Sequence, residues 1–398
     1  MSDPERDRDF EAFAEMFERG VPAGEYGRPR GPAAAPLVMP PDGESAISVS
    51  GADEYLGADA SGILASQGGN AAVPIASISK LITAMVVLDA RPLAGAADPG
   101  PTLTFDKADH ALYDKYYLLN ATIAAMPAGT TMSEHDAIET MLVVSACNYA
   151  EAVSTWAFGS QAAFLSAAKR WLAGHGMAHT TMVEPTGLDT RNRSTPSDMI
   201  ALGKLAMADP AVAAIVAMPR LDIPFLQGQP NTNDLIGIDG ITGIKTGTLD
   251  SAGSDLLFSA TLGVGAAKPL QLIGVVLSSA SHSSANLDVK NLIDSLKAGF
   301  HDVPVAEGGQ EVGSYSTPWG ASATMVLASS ASIFTYSNTP IASTMTTTAL
   351  KTGKDGEKVG AVTWKAGTST VTVPVILKGS ITPPTAWWRL THPQLLGG

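Results

Sequence analysis

The chain has 398 residues and a formal net charge of −13, with 45% hydrophobic and 16% charged residues. This length predicts two domains, and the hydrophobic content is sufficient to bury a substantial core. The acidic balance argues against a nucleic acid partner, which needs a basic surface, and against a polybasic membrane anchor. The single cysteine excludes an intramolecular disulfide.

Residues 1–45 begin with alternating acidic and basic residues and continue into sequence rich in Pro, Gly and Ala. This composition predicts a disordered N-terminal tail. The sequence shows no basic start followed by the apolar core of a signal peptide. It also shows no apolar run as long as a transmembrane helix.

Residues 46–303 predict one domain with strands at both ends and helices between them. The predicted strands are 46–50, 62–66, 256–262 and 270–277, and the predicted helices are 78–88, several between about 105 and 225, and an amphipathic one through Leu287, Leu292, Ile293, Leu296 and Phe300. We therefore expect an α+β fold, in which an antiparallel sheet from both ends of the domain is flanked by helices and carries an inserted helical subdomain.

The composition changes after Val303. Residues 304–398 are rich in Ser, Thr, Val and Gly and contain short alternating runs, such as the one from Ser369 to Leu377. Turn residues separate these runs, so the segment predicts a small all-β domain.

The first chemical motif is Ser77-Ile78-Ser79-Lys80 at the start of the predicted apolar helix. Residues three apart lie on one helical face, roughly 5–6 Å from each other. A serine hydroxyl is a poor nucleophile without a neighbouring base, and a buried lysine can supply that base. Taken alone, the motif could be a helix cap followed by a solvated lysine. Together with the two motifs below, it indicates a nucleophile, Ser77, and its base, Lys80.

The second motif is Ser145-Ala146-Cys147-Asn148, between two predicted helices, the first of which is capped by Ser133. Ser145 could be a plain turn residue. In the company of Ser77 and Lys80 we interpret it as a proton shuttle between the base and a leaving-group nitrogen.

The third motif, Lys245-Thr246-Gly247-Thr248, predicts a strand on the edge of a cleft. Gly247 would let a substrate backbone come close. Lys245 supplies positive charge, and Thr246 and Thr248 supply hydroxyls, so the motif suits a substrate carboxylate. A phosphate loop is excluded because Ile244, not glycine, precedes the lysine.

The order of these motifs is that of penicillin-binding proteins and serine β-lactamases. With Pro185-Thr186-Gly187-Leu188-Asp189 and Asn231-Thr232-Asn233-Asp234-Leu235, they make the chain resemble the D-alanyl-D-alanine carboxypeptidases, low-molecular-mass penicillin-binding proteins of serine peptidase family S11. The resemblance covers roughly residues 46–300 and implies a β-lactamase/transpeptidase-like domain.

The resemblance also implies a function. It implies removal of the terminal D-Ala from peptidoglycan stem peptides ending in D-Ala-D-Ala, through an acyl-enzyme on Ser77, and acylation of Ser77 by β-lactam antibiotics. It further implies an extracytoplasmic or cell-wall location. We expect no cofactor and no metal site, because the scattered histidines lack the spacing of a zinc helix.

Two positions depart from the family pattern. Cys147 stands where the family has the Asn of Ser-x-Asn, and a thiol is too weak a donor and acceptor to replace that amide. We expect a one-residue shift to bring Asn148 into the position of that Asn. Otherwise the site works with weakened hydrogen bonds to the substrate and to the base lysine. Glu184 stands where the family usually has Asn, and it is either a base for deacylation or a loop carboxylate. The local spacing, one residue too long for the β-lactamase pattern, favours the loop carboxylate.

Two other functions stay open at the level of sequence. A serine β-lactamase would differ mainly in rapid deacylation, and a non-catalytic module that binds penicillin or cell-wall peptides would differ in the absence of turnover. Cys147 keeps the non-catalytic module open, because a weakened site could be acylated without turning over. The preferred stem peptide, carboxypeptidase against endopeptidase action, the export route and the oligomeric state are not distinguished by the sequence.

Overall fold

The computed structural model describes residues 18–20, 36–57 and 59–395. The helices are α1 Asp53–Leu56, α2 Ala60–Ile63, α3 Ser79–Ala90, α4 Lys107–Leu118, α5 Glu134–Val143, α6 Cys147–Phe158, α7 Gln161–Gly174, α8 Pro196–Ala208, α9 Pro210–Val216, α10 His282–Gly299 and α11 Ala386–Thr391. The strands are β1 Glu18–Gly20, β2 Glu44–Ser50, β3 Ala65–Gln67, β4 Val73–Pro74, β5 Thr102–Thr104, β6 Thr131–Ser133, β7 Arg193–Ser194, β8 Ile241–Leu249, β9 Gly253–Leu262, β10 Leu270–Ser279, β11 Phe300–Ala306, β12 Glu311–Ser316, β13 Ser322–Leu327, β14 Ala331–Tyr336, β15 Ile341–Thr347, β16 Lys358–Ala366 and β17 Ser369–Lys378.

The chain divides into two compact units. One runs from Leu37 to Lys297, and the other comprises the chain from Ala298 onward together with strand β1. The domain boundary proposed from the sequence, between residues 303 and 304, falls inside strand β11. Most of the predicted N-terminal tail lies outside the described residues, and Glu18–Gly20 within it forms a strand rather than disordered chain.

The first unit contains a five-stranded antiparallel sheet in the order β3-β2-β10-β9-β8. Strands β2 and β3 precede the helical region and β8 to β10 follow it, so the predicted sheet from both ends of the domain is confirmed. Helix α8 packs on β2, β9 and β10, and α9 packs on β8. Strand β8, which carries the Lys245 motif, lies at the edge of this sheet.

Two sequence-based predictions in this unit need correction. The predicted strand 62–66 is instead the end of α2 followed by β3. In α10 the buried stripe is Ala285, Val289, Leu292, Ile293 and Leu296. Leu287 is exposed because it lies on the opposite face of the helix, and Phe300 begins strand β11.

The second unit is all-β apart from the short helix α11 and a single 3₁₀ turn in its described residues. Its main sheet has six antiparallel strands in the order β1-β12-β13-β17-β16-β15, and β11 pairs with β14 separately. Strand β14 contacts β16 and β17, and a buried core that includes Trp364 and Val375 holds the unit together. Hence the predicted C-terminal all-β region is confirmed.

Among the described residues, no single helix is long and apolar enough to cross a membrane. Helices α8 and α9 are long and apolar enough only when they are taken together, and a 103° bend separates them.

Candidate active site

Ser77 lies in a 3₁₀ turn, Ala76–Ile78, that leads directly into α3. The φ of Ala76 is +39°, an uncommon value that turns the chain sharply just before the serine. Lys80 is fully buried in the first turn of α3, whereas Ser77 is half-buried. Lys80 Nζ lies 2.8 Å from Ser77 Oγ. A neutral amine at this position can accept the hydroxyl proton and so activate the serine.

Lys80 has a second hydrogen-bond partner in the loop between residues 183 and 192. The Thr186 carbonyl accepts a hydrogen bond from Lys80 Nζ at 2.8 Å. One residue earlier, the Pro185 carbonyl accepts one from Thr83 Oγ1, also at 2.8 Å. Both donors belong to α3, so this loop is fixed to the helix that carries the lysine.

Two glycines allow the chain to close around Ser77. Gly187 has a φ of +88°, and a Cβ there would lie 1.8 Å from the Ala76 carbonyl oxygen. A Cβ at Gly247 would lie 2.9 Å from Ala76 Cβ and 3.1 Å from Ser77 N. The loop and the edge strand β8 therefore both approach the Ala76–Ile78 turn so closely that a side chain at either position would clash.

The Glu184 carboxylate is occupied by hydrogen bonds from its own loop. Its Oε2 accepts from Thr186 N at 2.7 Å and from Thr186 Oγ1 at 2.6 Å. Its Oε1 accepts from Gly187 N at 2.6 Å, Asn192 Nδ2 at 3.0 Å and Asp189 N at 3.4 Å. A carboxylate with this many donors has no oxygen left to activate a water. These contacts fit the loop carboxylate interpretation and not the deacylation base.

The second motif lies between α5 and α6. Ser145 is buried and has a φ of +64°, a left-handed conformation that persists in a non-glycine residue only when the surrounding structure imposes it. Asn148 is fully buried and clamps the backbone of Ala124, accepting from its N–H at 3.1 Å and donating to its carbonyl at 2.8 Å. The prediction that Asn148 shifts into the Ser-x-Asn slot is therefore wrong. The thiol of buried Cys147 remains at that position of the motif.

The third motif is buried except at its end. Lys245 Nζ donates to the Thr246 carbonyl at 3.2 Å and to Thr232 Oγ1 at 3.4 Å, and Thr246 Oγ1 donates to Thr232 Oγ1 at 2.7 Å. Burial, and after it the charge of Lys80, hold the pKa of Lys245 well below its usual value, whereas a charged Cys147 acts in the opposite direction. The two lysines are thus electrostatic neighbours.

The structure brings together most of the residues that the sequence singled out. Ser77 contacts Lys80 directly, Gly247 lies against the Ser77 amide, and Lys245 lies within electrostatic range of Lys80 and Cys147. Thr248 is exposed, and its hydroxyl lies 3.1 Å from Ser254 Oγ. Asn148 does not take part, because its amide is committed to Ala124.

Sequence reasoning missed three contributors to this site. Thr186 supplies the second partner of Lys80, Thr232 links Lys245 to Thr246, and Asn192 Nδ2 donates to Ser79 Oγ at 3.0 Å, inside the first motif. Thr186 and Thr232 belong to the stretches that carried the family resemblance. That resemblance marked the segments, but only the folded chain shows which atoms they bring to the lysines.

One group of possible metal ligands occurs among the described residues, on helix α5 and outside the three motifs. His135, Asp136 and Glu139 place their ligand atoms within 4.8 Å of one another. The His135 Nδ1 lies 3.6 Å from Asp136 Oδ1 and 3.8 Å from Glu139 Oε2. His135 therefore lies within ion-pair distance of both carboxylates.

The sequence matches a family model described as D-alanyl-D-alanine carboxypeptidase, peptidase S11, over residues 50–281. This chain belongs to the S11 peptidase family. A curated relative, the D-alanyl-D-alanine endopeptidase of Pseudomonas aeruginosa, is 29% identical over 207 residues, which cover 50% of this chain and 63% of the relative. The D-alanyl-D-alanine carboxypeptidase DacC of Escherichia coli is 30% identical over 164 residues, 40% of each chain. The chain thus spans less than two thirds of the length of these relatives.

Solved structures share the fold of this S11 family member. Penicillin-binding protein 5 from Haemophilus influenzae superimposes with a TM-score of 0.56 at 19% identity, covering 87% of this chain and 98% of that one. The Streptomyces K15 DD-transpeptidase has a TM-score of 0.54 at 21% identity, covering 65% of this chain and 97% of that one.

Proposed function

We propose that this S11 peptidase is a serine-type D-Ala-D-Ala carboxypeptidase that trims the terminal D-Ala from peptidoglycan stem peptides. The observation that carries the proposal is the 2.8 Å contact between the buried Lys80 amine and Ser77 Oγ. A serine paired in this way with a lysine can form an acyl-enzyme, and penicillin should acylate the same atom. Since peptidoglycan lies outside the cytoplasmic membrane, the proposal implies an extracytoplasmic location.

The reaction begins with proton transfer from the Ser77 hydroxyl to the Lys80 amine, while Ser77 Oγ attacks the carbonyl carbon of the penultimate D-Ala. The negative charge that develops on the carbonyl oxygen needs backbone N–H donors. The Ser77 amide and the β8 backbone next to Gly247, which approach each other closely, suit that role. Ser145 relays the proton to the departing nitrogen as the C–N bond breaks, and water then hydrolyses the Ser77 ester.

The electrostatics of the third motif favour a substrate with a terminal carboxylate. Lys245 is buried beside a second lysine, and both effects destabilise its charged form. An anion placed between β8 and Lys80 would relieve that repulsion. We propose that Lys245, Thr246 and the exposed Thr248 bind the carboxylate of the terminal D-Ala.

A second candidate function is endopeptidase action on cross-linked stem peptides. The supporting observation is the relative from Pseudomonas aeruginosa, which is named an endopeptidase. The same Ser77 chemistry would serve both reactions, because only the group on the leaving nitrogen differs. A β-lactamase that relies on a glutamate is disfavoured, since the Glu184 oxygens already accept hydrogen bonds from the loop.

Three assays on the whole protein test these proposals. Intact mass after penicillin treatment should show one lasting adduct that is lost in Ser77→Ala. Free D-Ala should be released from a diacyl-Lys-D-Ala-D-Ala peptide, and release of monomers from a cross-linked dimer would instead support the endopeptidase. A lasting adduct without turnover of either peptide would support the non-catalytic binding module. Rapid hydrolysis of penicillin would support the β-lactamase. No reaction with penicillin or with either peptide would refute the assignment of Ser77 as nucleophile.

A further inference from the structure

Glu184 belongs to none of the three motifs, yet a single peptide group separates its carboxylate from the amine of Lys80. We propose that Glu184 is a positioning residue for this base: it fixes the Thr186 carbonyl on the Lys80 amine and thereby directs the lone pair of that amine at Ser77. The inference rests on the proposed function, in which Lys80 deprotonates Ser77.

Lys80 needs such a support because its side chain is long and flexible. An amine that acts as a base must turn its single lone pair toward the Ser77 hydroxyl, so its N–H groups must find acceptors elsewhere. Within the described part of the chain, the Lys80 amine has two hydrogen-bond partners, Ser77 Oγ and the Thr186 carbonyl. That carbonyl accepts from the neutral amine before proton transfer and from the ammonium afterwards.

The Thr186 carbonyl is held in place from the opposite side of its own peptide group. The Thr186 carbonyl and the Gly187 N–H belong to one planar unit and point in opposite directions. The N–H donates to Glu184 Oε1 at 2.6 Å, while the carbonyl accepts from Lys80 at 2.8 Å. Rotation of this peptide would break both hydrogen bonds at once, so the carboxylate fixes the acceptor of the lysine.

Two further sets of contacts hold this arrangement. The N–H and hydroxyl of Thr186 donate to Glu184 Oε2 at 2.7 and 2.6 Å, and hydrogen bonds to a charged acceptor are stronger than neutral ones. Fully buried Asn192 donates through Nδ2 to Glu184 Oε1 and to Ser79 Oγ, each at 3.0 Å. The carboxylate is therefore linked to the helical turn that carries Lys80 by two separate routes.

Both oxygens of Glu184 must accept, and this makes the residue hard to replace. A glutamine has one acceptor oxygen, so its NH₂ group would face either the Thr186 N–H or the Gly187 N–H. We expect the Thr186–Gly187 peptide of Glu184→Gln to rotate and to withdraw its carbonyl from Lys80. Thr186→Val is a milder test, because it removes one hydroxyl donor and keeps the carbonyl.

The test compares chemistry with binding in the full-length protein. Acylation by penicillin is measured as a second-order rate constant, and noncovalent affinity for diacyl-Lys-D-Ala-D-Ala is measured in a Ser77→Ala background. Since a general base contributes roughly 10²- to 10⁴-fold, we expect Glu184→Gln to slow acylation about 100-fold and Thr186→Val about 3- to 10-fold. Peptide affinity should change less than about threefold in both, and the acidic limb of the acylation pH profile should shift in Glu184→Gln.

Asp189→Asn is the matched control. Its carboxylate lies in the same loop but pairs with Arg191 at the surface, so acylation should stay within about twofold of the parent.

A folded Glu184→Gln that acylates at the parent rate would overturn the proposal, as would a loss of peptide affinity equal to the loss of rate. If Glu184→Gln does not fold, Thr186→Val decides, and a parental acylation rate in it refutes the positioning role. A parent protein that penicillin never acylates would instead overturn the proposed function and this inference with it.

Discussion

Cys147 is the residue at which this site differs most from the family pattern. It is buried two residues after Ser145, and its thiol is a weak donor and acceptor. An asparagine amide there could make one or two good hydrogen bonds, each worth about 1 kcal/mol. We expect Cys147→Asn to raise the rate of D-Ala release about 5- to 30-fold, and Cys147→Ala to change it by less than about threefold. A Cys147→Asn protein that keeps its Tm but releases D-Ala more slowly than the parent would show that the thiol is the better fit.

We expect Lys245, the proposed ligand of the substrate carboxylate, to make substrate binding depend on pH. Burial and the charge of Lys80 lower the pKa of Lys245, so its positive charge is present at low pH and is lost as pH rises, earlier than for a free lysine. Affinity for diacyl-Lys-D-Ala-D-Ala, measured in Ser77→Ala, should therefore fall about tenfold or more as pH rises. The same peptide with a C-terminal amide carries no charge for Lys245 to bind and should show a flat profile; parallel profiles for the two peptides would contradict the carboxylate assignment.

At the scale of elements, the loop between residues 183 and 192 limits what can stand beside Ser77. Gly187 and Gly176 both have positive φ, +88° and +75°, so alanine is strained at either position. Only at Gly187 would the new Cβ also collide with the backbone, 1.8 Å from the Ala76 carbonyl oxygen. We expect Gly187→Ala to reduce penicillin acylation at least 100-fold and to lower the Tm, because the loop must move away from the Ala76–Ile78 turn that carries Ser77.

Gly176→Ala serves as the control for that substitution. It has open space around the new methyl group, so it should lower the Tm by a few degrees and leave acylation within about twofold. Equal losses of acylation in the two variants would show that positive φ alone matters and that the contact with Ala76 does not.

The sequence predicted elements with strong local signals and missed contacts that depend on tertiary packing. The Ser133 cap of α5 is present as expected, with Ser133 Oγ accepting from Asp136 N at 3.0 Å. The spacing of three residues placed Lys80 within reach of Ser77, and the other two motifs were needed to interpret the pair as nucleophile and base. The Asn148 shift was wrong because Ala124, 24 residues earlier, competes for its amide. No local pattern contains a partner at that separation.

At the scale of the whole molecule, the assembly of the sheet from both ends of the first unit was predictable, and the side-chain environment within the sheet was not. Strands before and after a helical region indicated a sheet made from both ends of the unit, and the order β3-β2-β10-β9-β8 has that form. Asp255 on β9 pairs with Gly247 on β8 and is buried, although nothing in the run around it marks it as different from a surface aspartate. Its burial follows only from the position of β9 between β8 and β10.

Two buried carboxyl groups make the stability of the first unit, Leu37 to Lys297, depend on pH. Burial raises the pKa of Asp255 to about 8, against an opposing hydrogen bond from Ser278 N–H, and raises the pKa of Glu134 to about 7. The unfolded chain loses these protons near its ordinary values of 3.8 and 4.5. Between those values and the raised ones, the unfolded state binds fewer protons than the folded state, so the free energy of unfolding falls as pH rises.

We therefore expect the free energy of unfolding to decrease from about pH 5 to pH 8 by at most roughly 1.4 kcal/mol per pH unit for each group. Asp255→Asn keeps an acceptor for the Ser278 N–H but cannot ionise, so its stability relative to the parent should increase steadily over this range. Urea unfolding at several pH values measures the difference, and Asp250→Asn, at an exposed carboxylate, controls for the loss of one negative charge. A difference between Asp255→Asn and the parent that stays constant from pH 5 to pH 8 would mean that Asp255 is already ionised in the folded protein, with its charge satisfied inside the sheet.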